Sequence, residues 1–190
     1  MTQAVLDIET QRGFDEVGGR GNLVGLGVSL VGLYWYQANR YEAYLEQDLS
    51  RLEGELSQAS RVIGFNIRRF DFPVLQPYFK NLDLSRLPCL DIMEEIEKIV
   101  GHRVSLESVA QGTLGVGKSG KGTDAIQFYR DGEWDRLKQY CLDDVRLTRD
   151  LYEYGKEEGR LYFMSKDGRG KREVTLNWRD PEPPPNLSLF

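Results

Sequence analysis

The run Gln3–Thr10, QAVLDIET, constrains this chain more than any other feature. Ala4, Val5, Leu6 and Ile8 mark a central, buried strand, yet Asp7 and Glu9 sit inside it. Alternate residues of a strand project from one face, so the two carboxylates point together. Two acids on one buried face repel and lose hydration, and each is driven toward its neutral form unless a cation compensates. An Asp-x-Glu pair on an exposed strand would be unremarked; the apolar neighbours argue against exposure.

Composition narrows the chemistry around that pair. A length of 190 residues, 40% hydrophobic and 29% charged, suits one soluble domain with a core. The formal net charge is −5, so a polyanion must meet a local basic patch or be bridged to acids through metal cations. The single histidine, His102, excludes a multi-histidine zinc or iron site and leaves little room for a Ser-His-Asp machine. Cys89 and Cys141 stand far apart with no C-x-x-C, which excludes a disulfide scaffold and favours a reducing, cytoplasmic setting. No basic leader precedes the first strand, so a signal peptide is not expected. The most apolar stretch, 23–36, is shorter than the ~20 residues of a membrane span. No membrane association is expected.

Along the chain, residues 24–31 and 33–38 read as two further strands turned at Gly32. Tyr41, Tyr44, Leu45, Leu49, Leu52 and Leu56 recur at helical spacing and predict an amphipathic helix over 40–56. A buried strand follows at 61–66, then a helix over 70–79 with Asp71 near its cap and Pro73 in its first turn. A fifth strand is expected at 88–90. Helices are expected over 91–100, 105–111, 124–129 and 134–158, with a glycine- and lysine-rich loop at 112–123. Two strand-like runs, 161–165 and 173–178, are joined by a basic connection at 166–172, a turn suited either to solubility or to gripping phosphates. Residues 180–190, rich in Asp, Glu and Pro, are expected to be a flexible tail. Strands first, then strands alternating with helices, imply an α/β fold with a mixed sheet covered on both faces.

Two other segments carry acids that belong with Asp7 and Glu9. Asp71 opens a helix, where its charge suits the helix dipole; Asn66, Arg68 and Arg69 lie in the preceding turn. Tyr140 and Asp144 are four apart on the long helix, on one face beside the apolar stripe of Leu137, Cys141, Val145 and Leu151. A neutral phenol there could donate to or position a water held by Asp144.

Taken together these segments resemble the three exonuclease motifs of the DEDD superfamily of 3′–5′ exonucleases, in the tyrosine form found in proofreading domains of family A and B DNA polymerases. LDIET at 6–10 matches the first motif, FNIRRFD at 65–71 the second and YCLDD at 140–144 the third, in the right order. The similarity runs over residues 3–154. It implies a ribonuclease H-like domain over 1–158 with a five-stranded mixed sheet in order 3-2-1-4-5; beyond it the strand-like runs predict a C-terminal β-hairpin at 159–179, and composition the tail at 180–190. It further implies that Asp7, Glu9, Asp71 and Asp144 hold two Mg²⁺ or Mn²⁺ ions, hard cations suited to carboxylate oxygens, and that Tyr140 orients the attacking water. Thr10, Asn66, Lys118 and Lys121 are the candidate substrate contacts. The implied activity is removal of nucleoside 5′-monophosphates from the 3′ end of a single-stranded nucleic acid, DNA before RNA. The same resemblance leaves room for a helicase or polymerase partner, with oligomeric state open.

Two rival readings stand beside it. Residues 112–119, GTLGVGKS, fit the phosphate-loop pattern G-x4-G-K-[ST] letter for letter, but such a loop needs a strand before it and a helix opening at the Lys-Ser pair. The preceding segment is helical in pattern, which speaks against a nucleotide triphosphatase. A nucleic-acid-binding module without turnover is the other alternative, opposed by the intact set of acids.

Overall fold

A strand with acids on one face and apolar residues around them must be central, and it is. In the computed structural model, which describes residues 2–117, 120, 122–165 and 170–178, β1 (Gln3–Thr10) is the middle of a five-stranded sheet. β2 (Val28–Trp35) runs antiparallel to it and β3 (Arg40–Leu45) antiparallel to β2. On the other side β4 (Arg61–Gly64) is parallel to β1, and β5 (Cys89–Asp91) parallel to β4. The order is β3-β2-β1-β4-β5, as expected.

Helices cover both faces. α1 (Leu49–Leu56) and α2 (Asp71–Leu75) bury Leu52, Leu56, Phe72 and Leu75 against Leu6 and Ile8. On the Val5 face lie α3 (Ile92–Val100), α4 (Leu106–Leu114) and α6 (Trp134–Glu158). α5 (Gly122–Arg130) packs on α6 through Ala125, Leu137, Tyr140 and Cys141. The hairpin of β6 (Arg160–Met164) and β7 (Lys171–Thr175) places Leu161, Phe163 and Val174 in the same core as Val5, so it is joined to the sheet's face rather than hung from it. Trp178 stacks on Tyr152 of α6 at 5.6 Å.

Three expectations need correction. β2 does not turn at Gly32; it is one strand, buried at all eight positions, and residues 24–26 form a short 3-10 helix before it. The turn falls at 36–39, where Asn39 adopts φ 48° and accepts a hydrogen bond from the Tyr34 hydroxyl. Nor is 40–56 one helix: β3 occupies 40–45, and the α-helix starts only at Leu49. Tyr44 enters the core under α1 while Tyr41, Ala43 and Leu45 pack on the other face, so a strand covered on both sides imitates helical spacing.

The third concerns residues 112–123. α4 continues through Gly112 to Leu114 and is capped by Gly115 at φ 73°. A Cβ on Gly112 would lie 2.7 Å from Phe163 Cα and Tyr162 O, so this glycine lets α4 touch β6. The first glycine of the apparent phosphate loop is therefore a helix-packing residue, and Lys118, Ser119 and Lys121 lie outside the described residues. So do 166–169 of the basic connection and the tail from 179 onward.

Candidate active site

β4 pairs with β1 only as far as Val5, so the edge of β1 beyond that point is open toward the start of α2. Asp71, the first residue of α2, fills the gap: its Oδ1 accepts a hydrogen bond from the Ile8 amide at 3.2 Å. This brings the second acidic segment onto the first at the carboxyl ends of two parallel strands, where open α/β sheets form their crevices. Asp71 is 3% exposed. Burial, reinforced by the nearby Asp91, pushes its carboxyl up from 3.8 to about 8, against hydrogen bonds from its own amide and that of Ile8.

The third segment arrives on α6. Leu137, Cys141, Val145, Leu147 and Leu151 form the apolar stripe that holds this helix to the sheet, and Tyr140 and Asp144 are carried inward with it. The fit to β2 is close. A Cβ on Gly32 would lie 2.8 Å from Cys141 Sγ and 2.9 Å from Val145 Cγ2. Gly32 is the register partner of Asp7, so the absent side chain on β2 lets α6 reach the acids of β1.

Asp7, Glu9, Asp71 and Asp144 consequently line one cleft of about 620 Å³. Its walls are the segment after β1, with Arg12 and Phe14, and the first turns of α5, with Thr123 and Ile126; Phe65 and Phe70 face it from the turn before α2. Phe14 and Phe70 meet edge to face at 6.1 Å. Ligand atoms of Asp7, Glu9 and Cys141 lie within 4.8 Å of one another. The thiol is 3.9 Å from Asp7 Oδ2. Desolvation and then the charges of Asp7, Glu9 and Asp144 push Cys141 well above the ordinary thiol value, so it stays a neutral S–H rather than a thiolate ligand. The usable donors are carboxylate oxygens. They suit a hard divalent cation.

Not every predicted residue joins the cleft. Thr10 lines it, with its hydroxyl donating to Arg12 O at 3.0 Å. Tyr140 lies beside it, one helical turn from Asp144, its ring covered by Phe128 at 6.4 Å and by Gly120. Asn66, at φ 69°, is held away: its amide donates to Asp91 Oδ1 at 2.8 Å and its side-chain oxygen accepts from Arg103. Arg68 and Arg69 pair with Glu94 and Glu97 of α3.

Sequence reasoning passed over Asp91. It is 2% exposed and takes amide hydrogen bonds from Asn66, Arg68, Met93 and Glu94, capping α3 and pinning the turn that delivers Asp71. An aspartate between a short apolar strand and a helix was the available signal.

Residues 4–155 match the family model RNase_H_2, described as RNase_H superfamily. The chain belongs to the RNase_H superfamily. No curated protein matches it. Among solved structures, the family B DNA polymerase from the hyperthermophilic archaeon Pyrobaculum calidifontis superposes with a TM-score of 0.61 at 18% identity, over 82% of this chain. The chain spans only 24% of that polymerase, and the likeness is one of fold. An RNase H-like sheet with an acidic cluster at the ends of its central strands suggests a metal-dependent nuclease acting on nucleic acid. Among the described residues no helix is long and apolar enough to cross a membrane.

Proposed function

We propose that this RNase H-like chain is a 3′–5′ exonuclease of the tyrosine-type DEDD class, acting on single-stranded nucleic acid and on DNA in preference to RNA. The observation that carries this is the meeting of Asp7, Glu9, Asp71 and Asp144, from three distant segments, in one cleft. These four would hold two Mg²⁺ or Mn²⁺ ions. When bound, such ions supply charge stabilisation to the entering and leaving oxygens of an in-line phosphoryl displacement.

The remaining work falls to the chain's own side chains. Phe14, Phe65 and Phe70 offer ring surfaces on which unpaired bases stack, and Arg12 a cation for a phosphate. Tyr140, one turn from Asp144, is assigned the orientation of the attacking water. Its ring is covered by Gly120 and Phe128, so that role requires these two residues to yield when a strand enters.

Incubation with Mn²⁺ of DNA and RNA oligomers labelled at either end tests the proposal. Early loss of a 3′ label as a nucleoside monophosphate, abolished in Asp144→Ala, supports it. Loss of the 5′ label first, or binding without shortening, overturns it.

A further inference from the structure

A second cavity, of about 210 Å³, lies between the end of α3, the start of α4 and the hairpin. His102, Arg103, Ser105, Ser108, Phe163 and Arg172 line it, and among the described residues no acid does. Nearby arginines are already neutralised: Arg68 and Arg69 by α3, and Arg160 by Glu158 and Glu173. Among the described residues no carboxylate pairs with Arg103 or Arg172. Two guanidiniums from separate elements, with no carboxylate partner among the described residues, thus line one concavity of a chain whose net charge is −5. That local reversal of sign selects an anion. Ser105 caps α4 on the same wall, its Oγ accepting from the Ser108 amide.

One hydrogen bond links the wall of this cavity to the segment that borders the acidic cleft. Arg103 donates to Asn66 Oδ1, and the preceding residue, Phe65, lines the cleft. A strand with its terminus among the acids would have to pass Phe65 and Asn66 to reach the two arginines. The guanidinium fork matches phosphate oxygens bidentately, where a lysine would act only as a point charge.

We propose that the Arg103–Arg172 cavity binds an internucleotide phosphate of the strand whose end occupies the acidic cleft, so that the substrate is an oligonucleotide long enough to reach both. This rests on the exonuclease reading and adds an anchor remote from the acids.

The test uses Arg172→Ser, at an exposed position of β7, with Arg172→Lys as the charge-conserving partner. Binding of a single-stranded DNA oligomer in Ca²⁺ is measured across a salt series, and Mn²⁺-dependent hydrolysis of the oligomer is compared with that of a dinucleotide. In Arg172→Ser the slope of log affinity against log salt is expected to shrink by ~0.7, the value for one phosphate contact on a single strand. The oligomer-to-dinucleotide ratio of kcat/KM is expected to fall ~10-fold, one charge-assisted contact, and Arg172→Lys to recover most of the slope. An unchanged slope and ratio in a variant that still shortens the oligomer overturns the anchor and leaves the exonuclease reading standing. Equal weakening toward a free nucleoside monophosphate assigns the cavity to a free phosphate and overturns the strand proposal. A wild-type protein that neither binds nor shortens any oligomer overturns both.

Discussion

Gly32 of β2 and Cys141 of α6 are matched so closely that one methyl on the glycine would come within 2.8 Å of the sulfur. The contact sets the distance between α6, which carries Asp144, and β1, which carries Asp7 and Glu9. Gly32→Val is expected to lose ~1–3 kcal/mol of stability through overpacking and to cut activity by ~10-fold or more, because Asp144 is pushed from its partners. Cys141→Ala alone is expected to be mild. Combined with Gly32→Ala it should recover part of the loss, a coupling that a double-mutant cycle in urea melts and initial rates will expose.

Asp144→Asn separates function from folding. Removing one charge relieves repulsion in the acidic cleft, so the metal-free variant is expected to melt at or above the wild-type temperature. Hydrolysis should fall ~100-fold or more, and the rise in melting temperature expected of the wild type with Mn²⁺ should be lost. Differential scanning fluorimetry with and without Mn²⁺, beside a nuclease assay, reads both effects.

Asp71 makes stability depend on pH. Its carboxyl titrates at about 8 in the folded, metal-free protein against 3.8 when exposed, so between these values the folded state holds the extra proton. Stability is therefore expected to fall as pH rises from about 4 to about 8 in chelator, and to be full below that window. A bound cation favours the ionised form, so the melting-temperature gain from Mn²⁺ should be larger near pH 8 than near pH 6. Asp71→Asn should flatten both trends in denaturant melts.

Asp91 works through the turn it pins. Asp91→Ala strips the acceptor from four amides, two of them in the turn before Asp71, and should cost about 3 kcal/mol with a loss of activity beyond that of stability. Asp91→Asn keeps one acceptor oxygen and should fall between. Melting curves and kcat at a temperature where each variant is folded distinguish the two.

Gly112 tests the phosphate-loop motif. Gly112→Val would drive a side chain into the β6 backbone and is expected to destabilise the fold by several kcal/mol, whereas ATP should be neither bound nor hydrolysed by the wild type. Calorimetric titration with ATP and a thermal melt are sufficient. Tight ATP binding that Lys118→Ala removes would reverse this view.

Patterns that depend on near neighbours were legible in the chain itself. The β1 run, the 25-residue stripe of α6 and the order of three acidic segments were all readable, because strand and helix periods are set by local backbone geometry. Those periods also placed Asp7 with Glu9 and Tyr140 with Asp144 on common faces. What joined them was tertiary: β2 passing straight through Gly32, β3 in place of the first turns of a helix, and Asp91 reaching back to the turn at Asn66. So too were the covering of Tyr140 by α5 and the turning of Asn66 toward Arg103. A strand buried on both faces carries apolar residues at helix-like intervals, and a glycine looks alike in a turn and under a helix. Only the atoms packed against them, supplied by residues far along the chain, decide between those states.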